Sequence, residues 1–330
     1  IARNTKDLLN IIERLNEKQV DFVSLKENID TTTPQGKFML TIFGAMAELE
    51  REKTNVIKYK DAEGNEKIAE TSSKGNQEKW LDNGKWYKLD QFGYEALAET
   101  FTSMLLEYSN IEKDTPFCFT RYNMERLLVH GRERTGCSSD NFLRAGESIV
   151  TISHLFKQHL GGSLVDVLER LPSDKRRMMY IAEATADITG LQGFPQYLTL
   201  LFEIDSLVLN DDRHLNNIAV LRTDDGRFDY CPIFDLGAAL LSNTQVCRYD
   251  IAPQALLSSL RAAPFSMNFS RMMHTAQAQF GVQLHPDRSD IEDALGAVLP
   301  RLTEYYPARD RADITDRVKA VLKARIALFR

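Results

Sequence analysis

Asp212, Asn217 and Asp235 are the residues whose types and spacing could do chemistry in this 330-residue chain. They sit in the string Asp212-Arg213-His214-Leu215-Asn216-Asn217 and in an isolated Phe234-Asp235-Leu236-Gly237. A carboxylate, an amide a short way on and a second carboxylate further along are what transfer of a phosphoryl group from ATP to a hydroxyl requires. One carboxylate orients the hydroxyl; the amide oxygen and the other carboxylate hold the magnesium that neutralises charge on the phosphates. The spacing alone leaves the register open, because Asp211 and Asn216 satisfy it equally. Asp and Asn are also ordinary turn residues.

Elements able to position these groups flank them. Ile218 to Leu221 is a short apolar run, Asp224-Asp225-Gly226 a turn signal, and Phe228 to Phe234 a return strand. A hairpin of this kind brings Asn217 beside Asp235. Upstream, Tyr197 to Leu209 is apolar enough for a buried helix that anchors the loop. Nearer the amino terminus come a strand at Glu66 to Glu70, a small polar loop at Thr71 to Gln77, and a return strand from Glu78 to Leu81. Backbone amides of such a loop can cradle phosphate. The turn Asp82-Asn83-Gly84 then leads into an alternating strand, Lys85 to Leu89, and an amphipathic helix runs from Gly93 to about Glu107. Lys88 is the candidate to meet phosphates and Glu95 its candidate partner, with Glu99, one turn on, as competitor. Taken singly, a strand lysine and a helix glutamate are ordinary solvated residues; their order ahead of the Asp212 loop is what supports the functional reading.

Three strings carry a family resemblance. Ser72-x-x-Gly75-x-Gln77-x-Lys79, the strand lysine Lys88, and Tyr94-Glu95-x-Leu97-Ala98-Glu99 together resemble HipA-like serine/threonine kinases, in which Asp-x-His-x-x-Asn recurs. The fuller Asp-Arg-His-x-x-Asn-Ile also resembles the catalytic loop of phosphatidylinositol kinases, and it fixes the register on Asp212 and Asn217. The resemblance covers roughly residues 64 to 330. It implies an α+β, two-lobed protein-kinase-like fold: a small β-rich amino-terminal lobe (64–122), a larger helical carboxyl-terminal lobe (123–330), and ATP with magnesium between them. It further implies Asp212 as catalytic base and Asn217 and Asp235 as metal ligands. Lys88, Glu95, Ser72, Ser73, Gly75 and Gln77 would form the nucleotide site. His214 would orient Asp212, share base duty, or simply hydrogen-bond. Some members autophosphorylate a serine in the loop matched by Ser72-Ser73. A protein serine or threonine is the implied acceptor, the second likeness implies a lipid or small molecule, and a pseudokinase acting as an interaction module is the third reading. A toxin role with an antitoxin-type partner follows from the family alone. Full-length HipA toxins carry a further amino-terminal subdomain with no counterpart here.

What precedes residue 64 reads differently. Ala2-Arg3-Asn4-Thr5, a helix from Asp7 to Leu15, a strand from Val20 to Leu25, and Thr31-Thr32-Thr33-Pro34-Gln35-Gly36 resemble a resolvase/invertase serine recombinase. Lys37 to Glu52, with Phe38, Met39, Ile42, Phe43, Met46 and Leu49 apolar, resembles that family's long dimerisation helix, and Pro34 suits its start. The resemblance spans about residues 1–52, with a polar junction at 53–63. Arg3 matches an active-site arginine of the family. The family's nucleophilic serine and DNA-binding module have no match in the chain, so recombination is not expected of it. The apolar stripe of the helix suits pairing with a second copy or packing on the rest of the chain.

Net charge of −6 argues against a protein whose task is gripping nucleic acid. The chain carries no apolar run of spanning length, no basic amphipathic helix for a membrane surface, and no secretory pattern. Cys118, Cys137, Cys231 and Cys247 are scattered and read as reduced thiols of a cytoplasmic protein. Helical periodicity is expected at Ser148 to Leu160, Leu164 to Leu171, Met178 to Ile188, Ile291 to Leu302 and Ala312 to Phe329. Phe117 to Tyr122 is expected to lead into an adenine-binding hinge, and Ser242 and Thr244 to occupy an activation segment as candidate phosphosites.

Overall fold

The computed structural model describes residues 77–160 and 164–329, together with Val23–Ser24, Ile29–Asp30, Thr33, Val56–Lys60 and Glu66–Glu70. Strand β1 (Val23–Ser24) pairs antiparallel with β2 (Ile29–Asp30). The helices expected at Asp7 to Leu15 and Lys37 to Glu52 lie outside the described residues, as do Ser72, Ser73 and Gly75. Strand β3 (Val56–Lys60) pairs with β4 (Glu66–Glu70). The segment expected to be a polar junction therefore contains a strand. Val56-Ile57-Lys58-Tyr59-Lys60 has the β-branched and aromatic content a strand favours, despite its charges.

A four-stranded antiparallel sheet follows, formed by β5 (Lys79–Asp82), β6 (Lys85–Leu89), β7 (Asn123–Val129) and β8 (Arg132–Asp140) in the order β5-β6-β8-β7. Asn83 and Gly84 turn between β5 and β6 at φ 47° and 76°. His130 and Gly131 do the same between β7 and β8 at 50° and 74°. Both are two-residue turns with φ positive at each position, the kind whose twist matches the flanking strands. Helix α1 (Glu95–Glu107) and the short α2 (Ile111–Asp114) intervene between β6 and β7. Trp80, Leu89, Leu127 and Val129 pack together on one face of this sheet.

The sheet extends through Asp140, past the lobe boundary expected at residue 122. Phe117 to Tyr122 does not lead to a hinge; Phe119 makes an isolated parallel bridge with Ile233, and the chain returns to the sheet through β7 and β8. The connection out of the sheet is the stretch 141–146. The second hairpin escapes a search for helices because β7 and β8 are rich in charge, their outer faces being solvated.

Strand β9 (Glu147–Thr151) begins the larger, mostly helical part and joins β10 (Ala219–Thr223) and β11 (Phe228–Tyr230) in the order β11-β10-β9. The helix expected from Ser148 is thus a strand followed by α3 (Ile152–Leu160). Then come α4 (Leu164–Glu169), α5 (Asp174–Thr189) and α6 (Phe194–Val208). Helix α6 is buried all round and packs against α5, α8 (Phe269–Phe280) and the last long helix. A helix apolar on every side belongs in a core. Between β11 and α8 lies the short α7 (Pro253–Ser259). The helix expected from Ile291 to Leu302 is broken into α9 (Arg288–Asp293), a π turn at Ala294–Val298 and α10 (Leu299–Thr303). The chain closes with α11 (Ala308–Ile326). Among the described residues no helix is long and apolar enough to cross a membrane.

Candidate active site

Lys88 leaves β6 on the face that meets α1 and is 9 % exposed. Its Nζ lies 2.5 Å from Glu99 Oε1 and 2.9 Å from Asp235 Oδ1. Glu99 is fully buried, and its second oxygen accepts the backbone N–H of Leu236 at 2.8 Å. Three stretches far apart in sequence are thereby joined at one point. Burial works against a charge on Lys88, but Asp235 and Glu99 outweigh it and hold its pKa well above the lysine range. Burial likewise opposes a charge on Asp235; the Lys88 ammonium prevails and holds that carboxyl at about 2. Glu99 is raised, chiefly by burial, against the pull of Lys88.

The expected partner of Lys88 was Glu95, and the structure corrects this to Glu99. Glu95 instead accepts the N–H groups of Phe92 (2.6 Å) and Gly93 (3.0 Å), holding the turn that leads into its own helix. A carboxylate at the first helical position is also favoured by the helix dipole. Glu99 stands a turn deeper among Ala98, Phe101 and other buried residues, where a carboxylate persists only if paired. That setting was the signal the sequence offered. Asp90 fixes the same helix start, accepting the Ala96 N–H at 2.6 Å and the Tyr306 hydroxyl at 2.8 Å.

The Asp212 loop follows α6 and lines the same cleft as Asp235. Leu209 closes that helix at φ 55°. The loop folds on itself: His214 N–H donates to the Asp212 carbonyl at 2.8 Å, and Asn217 N–H to the His214 carbonyl at 2.8 Å. Asn217 Nδ2 also donates to the Asp212 carbonyl at 2.8 Å. Asn217 lines the cleft, and with its nitrogen spent the amide oxygen is the atom it can offer a cation. The Asp212 and His214 side chains are 61 % and 47 % exposed and 3.8 Å apart, too far for a hydrogen bond. Burial raises the Asp212 pKa, His214 lowers it and Asp235 raises it. Burial also lifts neighbouring Asp211, to about 6.

Strands β10 and β11 pair in the register Val220 to Tyr230. The return strand expected to reach Phe234 stops at Tyr230, so Asn217 lies just before the hairpin and Asp235 a few residues after it, and both line one cleft of about 1430 Å³. Gln77, Lys79, Ile149, Thr151, Asp212, His214 and Phe234 line it as well. Gln77 spends its amide nitrogen on the Leu89 carbonyl at 2.9 Å. Asp235 stands at φ 62°, a left-handed conformation costing a residue other than glycine about 1–3 kcal/mol. Asn217 and Asp235 offer only oxygen, which suits a hard cation such as magnesium; one Asp235 oxygen is engaged by Lys88.

Arg213, which sequence reasoning passed over, is fully buried behind the loop against Asp205. A lone Asp inside the apolar run of α6 was the available sign of a buried pair. The segment after Asp235 also departs from expectation. Tyr94 N–H donates to the Ser242 carbonyl at 3.2 Å and Thr244 N–H to the Phe92 carbonyl at 3.0 Å. Ser242 is fully buried with its hydroxyl on the Gly237 carbonyl, and the Thr244 hydroxyl donates to Phe92 at 2.8 Å. A buried, engaged serine is a poor phosphosite. Gly93 is where this crossing is closest: a Cβ there would stand 2.0 Å from the Ser242 carbonyl oxygen.

Residues 1–64 match the family described as Resolvase, N terminal domain. Over 51 residues the chain is 49 % identical to a probable DNA-invertase of Sinorhizobium fredii, covering 16 % of this chain and 17 % of that protein. Over 52 residues it is 41 % identical to the transposon Tn917 resolvase of Enterococcus faecalis, covering 16 % and 28 %. The chain thus spans less than a third of the length of these curated relatives. Among solved structures, the Helicobacter pylori proinflammatory kinase CtkA aligns at TM-score 0.49 and 14 % identity, over 80 % of this chain and 93 % of CtkA. HipA of Shewanella oneidensis, solved with HipB and operator DNA, aligns at TM-score 0.40 and 15 % identity, over 77 % and 64 %. The chain joins an amino-terminal segment similar to serine recombinases to a remainder with structural similarity to CtkA and HipA.

Proposed function

We propose that the chain is an ATP- and magnesium-dependent phosphotransferase of two-lobed, kinase-like build, acting on a serine or threonine of a protein. The observation that carries the reading is the tie of Lys88 and Glu99 to Asp235, which lines a cleft that also presents Asp212 and Asn217. A lysine tied to a helix glutamate, facing a carboxylate and an amide oxygen across a cleft, is the arrangement that phosphoryl transfer needs. Asn217 and Asp235 would hold magnesium, which would supply positive charge against the phosphates. Lys88 exchanges its contact with Asp235 for a phosphate oxygen while Glu99 keeps it in place. Asp212 accepts the proton of the acceptor hydroxyl as that oxygen bonds to the γ-phosphorus. The bond to the bridging oxygen breaks and ADP leaves. Ile149 and Phe234 supply an apolar wall for the base of the nucleotide.

A protein acceptor is favoured over an anionic lipid headgroup by the segment after Asp235. Residues 238–250 carry one cation, Arg248, whose guanidinium is bonded to Asp250 at 3.0 and 2.7 Å. Asn243 and Gln245, which line the cleft from this segment, are neutral. A phosphorylated headgroup calls for free cations there, and the lysines that line the cleft, Lys79 and Lys157, come from β5 and α3 instead. Autophosphorylation at Ser72 or Ser73 and a toxin role with an antitoxin-type partner rest on the family resemblance alone. A cytoplasmic setting rests on the scattered cysteines and the composition, and dimerisation through the recombinase-like helix on the apolar stripe of that segment.

Incubation with γ-labelled ATP and magnesium, beside the Asp235→Asn variant, tests the reading. Label transferred to itself or to an added protein by the wild type and lost in the variant is expected. Equal transfer by both overturns the metal assignment, and transfer by neither to any acceptor favours the pseudokinase alternative.

A further inference from the structure

Arg213 has no part in the chemistry just described, yet it is among the largest fully buried side chains of the molecule. Its Nε lies 3.1 Å from Asp205 Oδ2, and Nη2 lies 3.1 Å from Asp205 Oδ1. Its Nη1 donates to two carbonyls, that of Asn217 at 3.0 Å and that of Phe234 at 2.9 Å. Asp205 is steadied from the other side by Asn210 Nδ2 at 2.7 Å. One edge of the guanidinium is therefore neutralised on helix α6, and the other is a clamp across the segments flanking the β10–β11 hairpin. The clamped carbonyls belong to Asn217 itself and to the residue immediately before Asp235.

The position of the second carbonyl matters because Asp235 is left-handed, at φ 62°. A residue in that region stays there only when its surroundings over-determine it. On one side the Leu236 N–H is held by Glu99 at 2.8 Å. On the other the Phe234 carbonyl is held by Arg213. The peptides before and after Asp235 are both pinned, and its side chain is set toward the cleft beside Asn217.

We propose that Arg213, anchored on Asp205, is the positioning residue that fixes Asn217 and Asp235 relative to one another as a pair of metal ligands. The inference rests on the phosphotransferase reading. Lysine cannot replace Arg213 here: an ammonium is a single point of charge on a flexible stem and cannot meet a carboxylate and two carbonyls along separate directions. A purely structural role would make Arg213 equivalent to any other buried polar network of α6. Glu203 supplies that comparison, accepting Gln277 Nε2 at 2.7 Å and Leu284 N–H at 2.8 Å.

The test compares the full chain as wild type, Arg213→Lys and Glu203→Gln. Transfer from labelled ATP is followed across a magnesium titration, and thermal unfolding is followed in parallel. Both variants are expected to unfold at lower temperature. Only Arg213→Lys should raise the half-saturating magnesium concentration, by about tenfold or more, as loss of a residue supporting metal ligands does. High magnesium should restore part of its rate. An unchanged magnesium midpoint in Arg213→Lys, or an equal shift in Glu203→Gln, overturns the proposal while leaving the phosphotransferase reading standing. Wild type without magnesium-dependent transfer overturns both. If Arg213→Lys does not fold, Asp205→Asn, which keeps the shape of the anchor without its charge, takes its place with the same expectation.

Discussion

Lys88, Glu99 and Asp235, a buried wall behind the cleft, and Asp212, His214 and Asn217, an exposed wall beside it, differ in how much holds each of them. The first group is tied together by contacts of 2.5, 2.9 and 2.8 Å, with Glu99 fully buried. In the second group the Asp212 carboxylate is more than half exposed and the His214 ring stands 3.8 Å away. The loop's backbone is held by hydrogen bonds of 2.8 Å onto the Asp212 and His214 carbonyls, and the Asn217 amide and the Arg213 guanidinium are held as well, which leaves the Asp212 and His214 side chains as the loosely held groups. The difference follows from what each wall must meet. A centre that receives highly charged phosphates profits from cations and carboxylates oriented in advance, which need no reorganisation during the reaction. A base must reach an incoming hydroxyl, and a side chain already engaged by the protein could not accept its proton.

The comparison can be broken first at the buried wall. Glu99→Gln removes a charge-assisted contact worth about 1.5–3 kcal/mol. Transfer and nucleotide affinity are then expected to fall roughly ten- to a hundredfold, at about 1.4 kcal/mol per tenfold. Glu95→Ala, a turn away, removes the acceptor of the Phe92 and Gly93 amides, at about 0.5–1.5 kcal/mol per hydrogen bond, and should be seen mainly as a lower melting temperature. Steady-state kinetics and calorimetric unfolding on both variants separate them; the reverse ranking would restore Glu95 as the partner of Lys88.

A smaller effect sharpens the open wall. Asp212 must be ionised to take a proton, so transfer falls on the acid side as pH drops through its pKa, which burial raises and His214 lowers. Removing His214 takes away the lowering influence. The acid limb of the pH–rate profile of His214→Gln should move to higher pH, with little change in rate on the alkaline side. A loss of rate equal at all pH values would make His214 a second base instead.

Much of the site was legible in the sequence because its residues are chemical types in a fixed order: Lys88 on a strand, an acidic helix, the Asp212 loop, a hairpin, then Asp235. Glu99 was weighed but passed over, since choosing between two glutamates one turn apart depends on helix depth, which only packing reveals. Arg213 was hidden for a similar reason. In a string of polar loop residues an arginine reads as solvated, and its burial depends on Asp205 from the preceding helix. The strand pair at 123–140 was missed because alternation on a sheet with one solvated face is weak when the polar face is strongly charged. Ser242 looked accessible because a loop serine usually is; the crossing of its segment with Gly93 buries it.

The most direct test of the account is Asp212→Asn, measured for nucleotide binding and for transfer on the same preparation. The substitution keeps the Asp212 carbonyl, which takes the Asn217 amide, so the metal ligands should stay in place. Magnesium-dependent ATP binding is expected to match the wild type, while transfer drops by roughly a hundredfold to ten-thousandfold, the worth of a general base. Transfer close to the wild-type rate would contradict the account, because it would leave the exposed wall of the cleft without the base assigned to it.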